Sequence, residues 1–136
     1  MTSVYLAAAY SSRDVLRAKY LPTLDDCTST WLTETHEITK ESLRDAPAMT
    51  EQYVFDHVQM DIRDVKRSDV FVAITDDWLR SQHILAISGG GRHVEMGVAM
   101  SLGIPVLVLG EPENIFQRVW HSVATWEELL TTLQLF

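Results

Sequence analysis

The sequence has little of three features that would each indicate a class of protein. It contains a single cysteine, Cys27, so the chain forms no internal disulfide and offers no cysteine cluster to zinc. No apolar run reaches the roughly 18 residues that a membrane-spanning helix needs. The amino-terminal segment MTSVYLAAAY lacks the basic stretch that precedes the apolar part of a signal peptide. We therefore expect a cytoplasmic protein that does not act on a membrane.

Basic residues are also scarce, at 11 Lys and Arg against 19 Asp and Glu, for a net charge of −8. Binding to a phosphate backbone depends on clustered Lys and Arg, so the balance argues against a nucleic acid polymer as partner. A small anionic ligand needs only one or two basic groups and a helix N-terminus, and the composition is compatible with one. At 136 residues, with 46% hydrophobic and 22% charged residues, the chain suits one globular domain spanning residues 1–136.

Strand and helix patterns alternate along the chain. Continuous apolar runs predict buried strands at 4–9, 69–75 and 104–109, and looser patterns predict strands at 30–36 and 119–124. Helices are predicted at about 11–19, 50–68 and 92–102 and from Thr125 onward, with loops at 37–50 and 76–91. This order predicts an α/β fold: a single doubly wound domain with a mainly parallel five-stranded sheet and helices on both faces, flavodoxin-like or Rossmann-like.

Ligands of such sheets bind at the carboxyl ends of the strands. Here those ends fall at Ala8–Ser12, from His36, from Asp76 and from Gly110. We therefore expect the functional residues near these four positions.

Glu95 is a carboxylate at a position where the helical pattern calls for an apolar residue. It shares a stripe with Val98, Ala99 and Leu102, and burial of an unpaired carboxylate is costly. It also follows a run of three glycines in the first turn, where a helix N-terminus stabilises negative charge, so we expect it to be ionised at neutral pH, as a nucleophile must be. The alternative is a Glu that only satisfies the N–H groups of the first turn.

Asp61 shows the same anomaly on the preceding helix. It lies on the apolar stripe drawn by Val54, Val58, Ile62 and Val65, whereas Asp56 and Asp64 fall off that stripe and are expected to be solvated. A carboxylate on a buried face is either a structural hydrogen-bond acceptor or part of a site. Both readings are open from the pattern alone.

Other candidates carry weaker signals. The segment SGGGR matches neither the Walker phosphate-binding loop of NTP-binding proteins nor GxGxxG, although Ser88 and Arg92 could hold one phosphate. Trp78, at the mouth of the third strand, is either a core residue or a platform for a base. The five histidines have no ligand spacing, so a metal site is not predicted.

These residues together resemble a known family, the nucleoside 2-deoxyribosyltransferases with the related 2'-deoxynucleoside 5'-monophosphate N-hydrolases. VYLAAAY at 4–10 resembles the first strand of the family, with Tyr5 as the Tyr of the catalytic pocket. Asp61 precedes Asp69 by the eight residues of the family pattern, and GGRHVEMGVAMSLGIPVLVLGEPENIF at 90–116 places Glu95 on its nucleophile. The resemblance covers nearly the whole chain.

The resemblance implies an activity without metal or organic cofactor. Glu95 would attack the anomeric carbon of a deoxyribose and form a covalent intermediate, and Asp61 would hold and help protonate the departing base. Another base or water would then discharge the intermediate on the same face, as in retaining glycoside chemistry. The substrate-binding residues expected from the resemblance and from the strand ends are Ala8, Arg13, Asp76, Trp78, Ser88, Gly89, Gly91, Arg92 and Asn114.

One departure leaves the substrate open. Many transferases of the family have an Asp six residues before the nucleophile, where this chain has Gly89. The hydrolases use Ser there, and Ser88 lies one position away, while Arg13 resembles their phosphate-side Arg. A deoxynucleoside transferase and a deoxynucleotide hydrolase are therefore two hypotheses for the function of this protein. A nucleotide-binding module without catalysis is a third.

In this family a neighbouring subunit completes each pocket. Asn114 resembles the residue given across that interface, although Pro112 stands where an Arg is common. The resemblance thus implies a homodimer or a dimer-based homo-oligomer with shared pockets. The partners implied are a small deoxynucleoside or deoxynucleotide and a nucleobase.

Overall fold

The computed structural model describes residues 2–33, 44–87 and 90–136. Five strands form one sheet: β1 (Ser3–Ala7), β2 (Asp26–Cys27), β3 (Val70–Ile74), β4 (Val106–Leu109) and β5 (His121–Val123). Their order is β2-β1-β3-β4-β5, and every neighbouring pair is parallel. The predicted α/β fold is confirmed, and this is the flavodoxin-like strand order.

The helices cover both faces of the sheet. After β1 the chain turns through a mixed helical stretch over residues 10–23, which contains α1 (Arg13–Val15). The other helices are α2 (Pro47–Lys66), α3 (Asp76–Ser81), α4 (Gly91–Ser101), α5 (Ile115–Arg118) and α6 (Trp126–Leu133). The 10–23 stretch packs against α6, where the rings of Tyr20 and Trp126 lie 4.8 Å apart, while α2 and α4 pack against each other. No helix in the described residues is long and apolar enough to cross a membrane.

The strands β3 and β4 are buried along their whole length, as their continuous apolar sequences predict. Every residue from Val70 to Ile74 is at most 1% exposed, and every residue from Val106 to Leu109 at most 2%. Burial on both faces requires a helix layer on each side. The carboxyl ends of β1 and β3 meet where the chain order reverses, which is the ligand-binding edge of such sheets.

The second strand is not where the sequence pattern puts it. Residues 26–27 pair with β1, whereas Thr30–Thr33 form a 3₁₀ turn. The predicted strand at 30–36 is therefore wrong in its described part, and its end at His36 lies outside the described residues. The indole of Trp31 donates to the Leu6 carbonyl at 2.8 Å, so this segment packs against β1 as a turn.

The buried face of α2 is also rotated from the predicted stripe. Val54 and Val58 are 37% and 47% exposed, while Asp64, expected to be solvated, is 1% exposed. Asp64 accepts from the Thr30 amide at 3.0 Å and pairs with Arg67 at 2.9 Å. A carboxylate with such partners is tolerated inside, which a hydropathy pattern cannot register.

One predicted loop contains a helix, and a further short helix lies where the sequence predicts no element. The connection after β3 holds α3, capped by Thr75 Oγ1, which accepts from the Trp78 amide at 3.2 Å. A short helix, α5, precedes β5, with Asn114 as its N-cap. The predicted loop at 37–50 lies partly outside the described residues, and α2 already begins at Pro47, a residue favoured in a first helical turn.

Candidate active site

Glu95 and Tyr5 meet at the carboxyl end of the sheet. Tyr5 lies on β1, is fully buried and stacks on Phe71 of β3 with ring centroids 5.5 Å apart. This packing aims its hydroxyl at α4, where it donates a short hydrogen bond to Glu95 Oε2. Strand β1 and the helix after the glycines thus bring together two of the three residues predicted to be catalytic.

Asp61, on α2, is the third member of this group. Its negative charge contributes to raising the pKa of both Glu95 and Tyr5, so it lies close enough to interact with each. Burial, followed by the Glu95 and Asp61 charges, raises the pKa of Tyr5 far above its ordinary value. Tyr5 is therefore a neutral hydroxyl donor over the working range of pH.

A cavity of about 250 Å³ opens in front of this group. It is lined by Ala8, Ala9, Tyr10, Trp31, Asp61, Gly91, Arg92 and Glu95. Three of the predicted substrate-binding residues, Ala8, Gly91 and Arg92, are among them. Tyr10 and Trp31 are aromatic walls that the sequence reading missed, although Tyr10 ends the first-strand motif and lies at a strand end.

A second cavity, of about 240 Å³, lies behind the same carboxylates between α2 and α4. Its lining is almost entirely apolar apart from Asp61 and Glu95, and includes Val58, Ile62, Val65, Val94 and Val98. Asp61, Gly91 and Glu95 border both cavities. The two carboxylates therefore stand between a cavity of mixed polar and apolar lining at the strand ends, the polar cavity, and an apolar cavity between the helices.

The ionisation of Glu95 differs from the expectation of a fully charged carboxylate. Burial raises the pKa of Glu95 to about 7, the Tyr5 hydrogen bond lowers it, and Asp61 raises it. Loss of water around the carboxyl outweighs the helix N-terminus, because Glu95 is the fifth residue of α4 and lies beyond the first free N–H groups. About half of the molecules therefore carry the anion near neutral pH.

Arg92, predicted to hold a phosphate, is engaged with two carboxylates. Its Nε donates to Glu113 Oε1 at 3.0 Å and its Nη1 to Asp76 Oδ1 at 2.9 Å. Its side chain is 4% exposed. Asp76, another predicted substrate residue, thus lies with Arg92 at the edge of the site and does not line either cavity beside Glu95.

Arg13 lies near the polar cavity, beside Tyr10. Its guanidinium carbon is 4.7 Å from the centre of the Tyr10 ring, and its Nη1 donates to the Tyr10 hydroxyl. The buried Nε of Arg13 makes no hydrogen bond and lies 3.6 Å from the exposed Asp14 carboxylate. Arg13 is therefore a cationic group beside an aromatic wall of the cavity.

The remaining predicted residues lie apart from Glu95 or outside the described chain. Trp78 is 6% exposed, donates to the Ala124 carbonyl at 3.0 Å and lines a different cavity beside β4 and β5. Asn114 caps α5 and lies 3.3 Å from His93 Nδ1. Ser88 and Gly89 are outside the described residues, as is part of the loop at 37–50.

Comparison with known proteins gives one structural likeness. No protein-family model matches the sequence. No curated protein sequence matches it. The structure of the CMP N-glycosidase BcmB of Clostridium botulinum matches with a TM-score of 0.54 and 16% sequence identity, over 98% of this chain and 99% of that chain. At that identity the likeness establishes a shared fold along the full length of both chains.

Proposed function

We propose that this protein cleaves the N-glycosidic bond of a nucleoside or nucleotide, with Glu95 as nucleophile. The observation that carries the proposal is the partly buried Glu95 carboxyl, which accepts from Tyr5 and faces a cavity that it shares with Asp61. Two neighbouring carboxylates at the ligand-binding edge of a parallel sheet oppose each other's ionisation, and such perturbed pairs are typical of catalytic sites. The fold shared with a CMP N-glycosidase supports this choice of reaction.

The reaction proceeds in two displacements. A Glu95 oxygen forms a bond to the anomeric carbon while the carbon–nitrogen bond breaks, and its electron pair leaves with the base. In the reactive form Glu95 is the anion and Asp61 carries a proton, which Asp61 donates to the departing base that it holds. Water or a second base then attacks the same carbon and returns a proton to Asp61, which releases Glu95 as the anion and gives retention of configuration. Tyr5 keeps the nucleophilic oxygen in place by its hydrogen bond.

The preferred sugar in this proposal is 2'-deoxyribose, because the missing hydroxyl makes the cationic transition state easier to reach. Deoxyribosyl transfer to another base is the primary reading, and release of base from a 5'-monophosphate is the alternative. Arg13, next to Tyr10 at the polar cavity, supports the monophosphate. The CMP activity of the structural neighbour makes ribonucleotides a necessary part of the substrate panel.

The test is base release or base exchange. Purified protein is incubated with deoxyinosine plus adenine, with each deoxynucleoside monophosphate and with CMP, and the products are separated by chromatography. Exchange supports the transferase, and free base from a monophosphate supports the hydrolase. Intact-mass measurement after acid quenching is expected to show a sugar adduct that maps to Glu95.

Two variants serve as controls. Glu95→Ala is expected to lose activity by orders of magnitude and to keep its fold, whereas Glu51→Gln, at an exposed position of α2, is expected to behave as wild type. If no substrate is turned over and Glu95→Ala binds nucleotides as tightly as wild type, the protein is a binding module and the catalytic proposal is wrong.

We also propose a homodimer or dimer-based oligomer in which Asn114 reaches the partner's pocket. Support comes from the apolar cavity between α2 and α4, which is bordered by exposed Val58 and Val94. Mixing inactive Glu95→Ala with inactive Asn114→Ala and allowing subunit exchange is expected to restore about a quarter of wild-type activity, because half of the dimers then hold one intact site. A monomer in sedimentation, or no recovery after exchange, would show that each chain works alone.

A further inference from the structure

Arg92 lies one helical turn before Glu95, and its guanidinium is bound by two acidic side chains. Glu113 accepts from both Nε and Nη2, and Asp76 accepts from Nη1 at 2.9 Å. All three side chains are largely buried, at 4%, 16% and 21% exposure for Arg92, Asp76 and Glu113. A planar fork that makes three directed bonds is a geometry that Arg provides and Lys does not.

These bonds join three parts of the fold. Arg92 belongs to the first turn of α4, Asp76 begins α3 directly after β3, and Glu113 lies in the loop that follows β4. Glu113 is itself held by Gln117, whose amide nitrogen donates to its carboxylate at 3.2 Å and whose oxygen accepts from its backbone N–H at 2.7 Å. Since Gln117 is fully buried, the anchor for Arg92 is a fixed part of the sheet edge.

The first two residues at the start of α4 are glycines, so no side chain caps this helix. Its N-cap is Gly90, in the left-handed region at φ 85°, and its first residue is Gly91, so neither has a side chain that could fasten the turn. The direction in which Glu95 points depends on the rotation of α4 about its axis. A tether three residues away, on the adjacent turn, sets that rotation.

We propose that Arg92 is a positioning residue, which holds the first turn of α4 against Asp76 and Glu113 so that Glu95 meets Tyr5 and the substrate. This inference rests on the proposed function, because it assigns Arg92 a role through the nucleophile. It differs from the sequence-based expectation that Arg92 binds a phosphate. One positive charge between two carboxylates forms a cluster of net negative charge, which repels an incoming phosphate.

Arg92→Lys and Glu113→Gln separate the two roles, with the exposed Arg118→Lys on α5 as a matched control. Positioning predicts that both variants lower kcat on the order of 100-fold with little change in KM, for nucleoside and monophosphate alike. Phosphate binding predicts the opposite pattern: Arg92→Lys raises KM for the monophosphate alone, and Glu113→Gln, which releases Arg92, lowers that KM. Either of these last results would overturn the proposal.

A measurement that needs no enzymatic activity separates this test from the test of the proposed function. The titration midpoint of the Glu95 carboxyl is followed by carbon NMR in the same three variants. A loosened α4 admits water to Glu95, which lowers its pKa, and weakens the hydrogen bond from Tyr5, which raises it. Because burial is the larger of the two effects, Arg92→Lys and Glu113→Gln are expected to move the midpoint from about 7 toward 4.5, and Arg118→Lys to leave it in place. Unchanged midpoints in both variants would refute positioning even if the enzyme is active, and inactivity of the wild type alone would refute only the proposed function.

Discussion

Replacing Glu95 by Gln is expected to make the protein more stable above neutral pH while it removes activity. Burial raises the pKa of Glu95 from 4.5 to about 7 in the folded protein. A group whose folded pKa is raised contributes stability below its unfolded pKa and loses that contribution as pH rises through the folded value. The gap between 4.5 and about 7, at about 1.4 kcal/mol per pH unit, amounts to about 3 kcal/mol of lost stability once Glu95 is ionised.

Gln removes the charge and keeps an oxygen that can accept from Tyr5. The free energies of unfolding of wild type and Glu95→Gln should therefore be similar near pH 4.5, diverge between pH 4.5 and 7, and differ by up to about 3 kcal/mol at pH 8.5. Urea unfolding followed by fluorescence of the four tryptophans measures this difference, with the exposed Glu51→Gln as the control for net charge. Curves of unfolding free energy against pH that run parallel for wild type and Glu95→Gln would show that Glu95 is not a strained carboxylate.

Three further variants test neighbouring parts of the structure. Tyr5→Phe removes the hydrogen bond that lowers the pKa of Glu95, so the midpoint of the rise of kcat/KM with pH is expected to lie above the wild-type midpoint near 7. A midpoint that does not move would show that the Tyr5 hydrogen bond does not affect the ionisation of the nucleophile. Asp61→Asn removes a charge that raises the pKa of Glu95, so the NMR titration midpoint of Glu95 should move to lower pH, and the rate of base release should fall steeply. A higher midpoint would contradict the charge interaction between Asp61 and Glu95. Gly110→Ala places a Cβ against Thr75 Oγ1 and 2.8 Å from Trp78 Cβ, at a backbone φ of 111°, and is expected to lower the free energy of unfolding in urea by about 3 kcal/mol. Gly103→Ala, at φ 72° with open space around it, is the comparison and should lower it by about 1 kcal/mol. Equal losses in the two variants would refute the packing argument.

The strands β1, β3, β4 and β5 and the helices α2, α4 and α6 follow from local patterns and were predicted from the sequence. The runs at 70–74 and 106–109 are apolar at nearly every position, which only a strand covered on both faces requires. The N-cap at Thr125 was also readable, and its Oγ1 accepts from the Glu128 amide at 3.1 Å. Such signals depend on residues close in sequence, so they can be recognised without any knowledge of the tertiary structure.

The wrong predictions of secondary structure and burial concern residues whose position depends on contacts formed in the folded chain. A two-residue strand at 26–27 has too short a pattern to detect, and its pairing with β1 is a long-range event. Asp64 was assigned to solvent because its partners, Thr30 and Arg67, cancel the cost of burial in a way that hydropathy does not show. Leu102, placed on the buried stripe of α4, is 50% exposed, because Arg92, Met96 and Ala99 form the buried side instead.

The sequence by itself determined the α/β class and singled out Glu95 and Asp61, since each is a carboxylate in an otherwise apolar helical pattern. Only the tertiary structure decided the hydrogen-bond partner and the pKa of Glu95. The hydroxyl of Tyr5 reaches Glu95 across 90 residues of sequence, and desolvation in the packed interior raises the pKa of that carboxyl to about 7. It also decided that Arg92 faces Glu113 and Asp76, because the ends of β3 and β4 and the start of α4 come together only when the parallel sheet has formed.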